Sequence, residues 1–390
     1  MLTTPAARPF PAPRLRTGWR AIQAGPVDGV PMRLFTVILL PLLILAAILA
    51  GVWLGGETLA ARELARLSQA GLGFSATSIT PLRDPSRIGV HLTGAGLTGT
   101  AGQLHLAEAD LSVKPLSPTV LRLDLPASAK VDLGAGPQDL GLSDPRASLR
   151  LLPLSGLVPG RLGVSSGPMT LDGTPLAEKL VLNAQLAPLG HDAPPASVSA
   201  YDINLSLQGL SPQALPELAG AAEALNVSGT LALIGQGRLW LDAAPTPMVL
   251  AGGHLRPSGL RIDGAELQFG PLTARVVGML RPDAQGRAEG ALAIYTADAG
   301  PVLDAAAGAG MLPGSAVKLA GTMLRSLSAM PMPGEADGDD PAKPRSINWP
   351  APTAGQLRLP ILFADGRMSF GPIPLGPAPA FPAPIAGAQP

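Results

Sequence analysis

Gly163-Val164-Ser165-Ser166-Gly167 has the G-x-S-x-G spacing of a hydrolase nucleophile elbow. That elbow needs a strand before the serine and a helix after it, so that the hydroxyl stands exposed at a strained turn. Pro168-Met169-Thr170-Leu171 follows and reads as another strand, which makes the pentapeptide a Gly/Ser turn. Gly94-Ala95-Gly96-Leu97-Thr98-Gly99 matches G-x-G-x-x-G, but a pyrophosphate site needs a helix N-terminus next, and Gln103-Leu104-His105-Leu106 alternates as a strand. The expected element is a Gly-rich hairpin. His91 and His105 could face each other on neighbouring strands, with Glu108 or Asp110 as a third ligand for zinc, while His191 and His254 are scattered. Asp337, Asp339 and Asp340 imitate the start of a calcium loop, yet the twelfth position is Asn348 rather than Glu, as in a solvated linker. The sequon Asn226-Val227-Ser228 matters only in a glycosylating pathway. No catalytic, cofactor-binding or metal-ligating residue is assigned, no cofactor is implied, and the chain is read as non-enzymatic.

The elements around these motifs are strands. In Leu121–Val131 the odd positions are apolar and Arg122, Asp124, Ser128 and Lys130 point the other way, with an interruption at Pro126. Similar alternation occurs at Leu104–Leu106 with a slip before Leu111–Val113, then at Ala147–Leu151, Leu180–Leu186, Ile203–Leu207 and Val227–Leu233. It returns at Leu260–Ile262, Leu272–Val276, Leu292–Ile294 and Leu357–Phe363. Half-buried strands separated by turn residues predict an antiparallel sheet rather than βαβ units. The 47 glycines and 44 prolines fit many turns, and 46% hydrophobic residues argue for a buried core. Helices are expected over Glu57–Ala70, from Ser211-Pro212 through Ala224, around Val302–Ala309 and over Ser315–Leu327.

Leu34–Leu54 is an uncharged apolar run, roughly 31 Å long as a helix, about the thickness of a bilayer core. Arg8, Arg14, Arg16, Arg20 and Arg33 precede it against Asp28 alone, which predicts a cytoplasmic N-terminus. The run exceeds a signal peptide's ~7–15 apolar residues, so an uncleaved signal-anchor is the reading over a cleaved leader. Met32 offers an alternative start that leaves only Arg33 ahead of the run. The expected localisation is the bacterial inner membrane, single-pass, with the main domain periplasmic. With 28 basic and 28 acidic residues the chain has no nucleic-acid footprint, and without cysteine it has no disulfide, thiolate or iron–sulfur chemistry.

The expected fold class is mainly β: an N-terminal transmembrane helix, then a long curved antiparallel β-sheet, half-barrel or groove-like, with a few short covering helices. The expected organisation is a disordered Arg-bearing tail over 1–33, an anchor over 34–54, a membrane-proximal helix over 55–71 and a β-rich domain over 72–329. A Pro/Gly/acidic linker or insertion over 330–353, a completing hairpin over 354–376 and a Pro/Ala tail over 377–390 follow.

Two stretches carry a family likeness: Leu260–Ala293 (LRIDGAELQFGPLTARVVGMLRPDAQGRAEGALA) and Leu357–Gly376 (LRLPILFADGRMSFGPIPLG). With the anchor, they make the chain resemble the bacterial family of domain of unknown function 2125, and more distantly the AsmA-type envelope proteins. The resemblance implies an envelope protein whose sheet encloses an apolar groove for lipid. The apolar strand faces themselves fit either a closed core under a second sheet or a trough for acyl chains. The expected function is therefore binding or guiding lipid or another apolar envelope component. The alternative is a scaffold binding other envelope proteins, and an exported hydrolase using Ser165 is third. The expected partners are the inner membrane through Leu34–Leu54, lipid or acyl chains, and other envelope proteins, without nucleic acid.

Overall fold

The structure, a computed structural model, describes residues 55–381 apart from 67, 70–72, 100–101, 135, 225–226, 252–254, 271, 298–299, 301–316, 334 and 336–346. Twenty strand segments form one sheet. β1 (Phe74–Ser75) and β2 (Ser78–Pro81) pair with β3 (Ile88–Gly99), which pairs with β4 (Gly102–Lys114). β4 pairs along one half with β5 (Ser117–Asp124) and along the other with β6 (Ser128–Asp132). β7 (Pro137–Leu142) lies against β6, and β8 (Arg146–Leu152) against β5. β9 (Val158–Ser166) and β10 (Met169–Leu171) continue these two, and β11 (Thr174–Ala177) and β12 (Lys179–Ala187) return along them. Unbroken strands follow: β13 (Ser199–Leu210), β14 (Leu231–Leu241), β15 (Pro257–Phe269), β16 (Leu272–Pro282), β17 (Ala288–Thr296), β18 (Leu357–Ala364), β19 (Arg367–Phe370) and β20 (Ile373–Pro377). Each pairs antiparallel with the next.

The topology is a serial meander in which five strands are broken partway. The breaks lie level with one another: register sets residue 77 opposite Gly94, 125–127 opposite 143–145, 143–145 opposite 167–168, 167–168 opposite 178 and 178 opposite Gly209. Pro126, Pro145 and Pro168, which have no N–H for a ladder, occupy the line. Gly94 (φ +59°) and Gly209 (φ +65°) cross it in left-handed conformations, and a Cβ on Gly94 would meet Thr77 Oγ1 at 2.4 Å. Bonds such as Leu142 N–H to Ala127 O (2.7 Å) and Gly167 N–H to Ser143 O (2.8 Å) bridge it.

The register also sorts side chains into two faces, since alternate residues along a strand point opposite ways. One cross-strand row reads Leu111, Leu123, Ala147, Val164, Leu182, Leu205, Gly235, Ala265, Val276, Ile294, Leu359. The adjacent row on the opposite face reads Asp110, Asp124, Arg146, Ser165, Val181, Ser206, Ile234, Glu266, Arg275, Tyr295, Arg358. The sheet is open: β1 and β2 form one edge and β20 the other, with no pairing between them among the described residues. Fragmentation blunts the first edge, and Pro374 and Pro377 guard the second.

Three helices cover the ends of the apolar face. α1 (residues 55–66) lays Ala61 and Leu64 on Val90, Leu92 and Ala109. α2 (Pro216–Ala224) packs Leu218 over Leu180 and Leu207, and α3 (Pro247–Ala251) packs Val249 and Leu250 over Leu186 and Leu239. α4 (Val317–Ser328) contributes Leu327, which is buried.

The mainly-β, antiparallel expectation of a large open sheet holds, but the transmembrane helix of the expected fold class is corrected. No helix among the described residues is long and apolar enough to cross a membrane. α1 reaches only about 18 Å and carries Glu57, Arg62, Glu63 and Arg66, whereas a bilayer core takes about 30 Å of apolar helix. Leu34–Leu54, on which the transmembrane helix, the signal-anchor, the inner-membrane partner and the single-pass localisation rested, lies outside the described residues.

Candidate functional surfaces

On the polar face, Arg87 is a hub. Its guanidinium donates to Asp84 Oδ2 (2.7 Å), Asp124 Oδ2 (2.6 Å) and Asp110 Oδ2 (3.2 Å), three carboxylates that the β2–β3 turn and the β3–β4–β5 register bring together. The hydrogen bond from Arg87, with two from Ser86, holds the Asp84 carboxyl down at about 2, against an ordinary 3.8. His91 Nδ1 lies 2.7 Å from Asp110 Oδ1. Farther along, Arg238 grips Asp202 through Nε (2.7 Å) and Nη2 (3.2 Å), a bidentate pair across β13 and β14. Arg261 pairs with Asp192 and Asp263 and lies 5.7 Å over the Trp240 ring, whose Nε1–H donates to Leu189 O (2.9 Å).

Beyond Arg261 the polar face is covered by a strap that composition alone hid. Met332 (1% exposed) and Trp349 (9%) pack on Val277, Ala291, Ala293 and Tyr295, and Trp349 Nε1–H donates to Pro333 O (3.1 Å). Arg358 is buried beneath: Nη1 donates to Glu335 Oε1 (2.9 Å), Nη2 to Met330 O (3.0 Å), and its Nε has no partner among the described residues. Tyr295 donates to Pro350 O (2.8 Å), and burial raises its phenol. Between this strap and residues 191–195 runs an open cleft of about 600 Å³, lined by His191, Asp192, Met279, Arg281, Trp349 and Phe363 among others. Its lining is mostly apolar, with Asp192, Arg281 and Glu289 as its charged members.

On the apolar face, Ala147, Leu149, Leu162, Val164, Leu182, Ile203, Leu205, Val276 and Ile294 are all half-buried. None of them belongs to the buried clusters under α1, α2, α3 or the segment around Phe381. The middle of this face has no cover among the described residues.

The motifs fall as follows. Ser165 lies inside β9, between Arg146 and Val181, and β10 rather than a helix follows, so the elbow geometry is absent and the Gly/Ser turn is in fact strand. Gly94–Gly99 ends β3 of an antiparallel hairpin, as expected, with Gly99 opposite Gly102. His91 and His105 do not face each other: they pair with Asp110 and Gly96, five positions apart or roughly 17 Å along the strand. No trio of metal-ligating side chains occurs among the described residues. His254, Asp337, Asp339, Asp340 and Asn226 lie outside them.

A family described as "Uncharacterized protein conserved in bacteria (DUF2125)" matches residues 59–379. The match covers most of the chain, including both stretches that carried the resemblance, and the chain belongs to that family. No curated protein matches it, and no solved structure does.

Proposed function

We propose, from that membership and this geometry, that the protein is a non-enzymatic component of the bacterial cell envelope, a scaffold that holds other envelope proteins against its sheet. One observation carries the reading: the middle of the apolar face, around Val164, Leu182 and Leu205, is half-exposed between covers at its ends. An aliphatic face of that extent loses free energy in water at about 25 cal/mol per Å² until something covers it. The guarded sheet edges disfavour strand addition, so recognition falls to the faces. In-cell photo-crosslinking from positions 164 and 205 should capture the same discrete protein, and positions 122 and 146 on the polar face should not. Loss of that product in a Leu205→Asp chain would support the reading, and no face-specific product would sink it. The purely aliphatic lining of these rows also favours acyl chains as occupant. Co-purified lipid on native mass spectrometry, displaced by the same Leu205→Asp change, would establish that second reading instead.

A further inference from the structure

One end of the sheet presents bare apolar loop tips. Leu116 in the β4–β5 turn is 98% exposed and Leu154 in the β8–β9 turn 104%, with Leu157, Leu189 and Val198 also exposed. The register makes them neighbours. Val120 opposite Arg150, carried to the strand ends, sets 116 beside 154, while the β9–β12 and β12–β13 registers set 157 beside 189 and 189 beside 198. Leu157 holds φ +62°, a conformation that glycine adopts without strain and leucine does not.

The strands nearest the first two tips carry Lys114, Arg150 and Arg161, while the acid of the neighbouring β2–β3 turn, Asp84, is already paired with Arg87. Among the described residues none of Lys114, Arg150 and Arg161 makes a salt bridge, and Arg161 donates to Gln185 Oε1 (2.8 Å). Arg150 and Arg161 stand directly opposite on β8 and β9, a like-charge pairing that costs stability unless an anion lies over it.

We infer that this end of the sheet docks on an anionic phospholipid surface: the leucine tips enter the boundary between headgroups and acyl chains, and the cations behind them meet the phosphates. Apolar side chains sunk ~5–10 Å beneath a basic collar are what such a surface binds. The inference goes beyond the scaffold reading and does not rest on it, since it concerns the strand ends rather than the face.

The cysteine-free chain allows a clean test. Full-length protein with Leu116→Cys, Leu154→Cys or, at the opposite end, Leu133→Cys carries an environment-sensitive fluorophore. It is mixed with vesicles of phosphatidylcholine alone or with equal phosphatidylglycerol, with and without lipid-borne quenchers. Probes at 116 and 154 should shift blue and be quenched only with phosphatidylglycerol, and the probe at 133 should do neither. Arg150→Ser with Arg161→Ser should lower tip insertion on the order of thirty-fold. Absent tip quenching, equal quenching at 133, or insertion indifferent to phosphatidylglycerol and to the arginines would overturn the proposal. Tips shielded by a protein partner without lipid would also overturn it. Crosslinks from 164 and 205 report on the scaffold reading separately.

Discussion

The first strands and the last long ones are each covered by a segment held through a buried charge, and the charges are opposite. Under α1, Glu57 (0% exposed) accepts from Gly89 N–H (3.0 Å), at the start of β3, and from Arg83 N–H (3.2 Å) in the short turn before it. Under the strap, Arg358 (6% exposed) donates to Glu335 and Met330, and its Nε–H finds no acceptor among the described residues. The acid is satisfied by backbone that the hairpin has already placed. The base joins segments that only the finished fold brings together, and it retains an unpaired donor. A buried charge is cheapest where its partners are fixed before it arrives, because no further ordering is needed.

The sharpest way to break the comparison is to empty the strap. Trp349→Ala should cost roughly 4 kcal/mol of unfolding free energy in urea titrations, through lost burial and the cavity left behind. A cost near zero would show that the strap is not part of the cooperative fold. Arg358→Met should cost roughly 3 kcal/mol by leaving Glu335 beside an apolar surface. If it were neutral or stabilising, the pair would be a burden that packing carries. Glu57→Ala should cost roughly 2 kcal/mol, with faster hydrogen exchange at the Gly89 and Arg83 amides and across α1, while the strap stays protected. Strap amides that loosen together with α1 would show the two covers to be coupled. The smallest effect belongs to Asp84. Its folded value lies below the unfolded one, so its contribution is complete above about 3.8 and lost as pH falls through about 2. The stability difference between the native chain and Asp84→Asn should therefore shrink over that interval; a difference that grows on acidification would contradict the Arg87 hub.

The sequence made the alternating strands legible because alternation is local. The interruption at Pro126 stands where the pattern put it, between β5 and β6. In β3 the alternation covers only Ile88, Val90 and Leu92 before Gly94, Gly96 and Gly99 interrupt it. Register was not legible either: alternation shows which side a residue faces, but only the hairpin closing at Gly99 and Gly102 decides that His91 meets Asp110 instead of His105. Met332 and Trp349 were hidden for a different reason. Their neighbours are prolines, glycines and acids, and burial comes from strands distant in sequence. The aliphatic faces were visible as faces, but whether anything lies over them depends on helices whose positions no local pattern encodes.

The level breaks across the first half of the sheet have a mechanical consequence. A ladder interrupted at one height in successive strands is a score line: β6, β7, β10 and β11 form a strip joined to β5, β8, β9 and β12 by few bonds and several prolines. Bending along that line disturbs little hydrogen bonding, whereas bending β16 to β18 would have to break ladders that carry no register shift. The sheet thus has a compliant half and a stiff one, and a load applied to the strip would be taken up at the score line before it reached the strap.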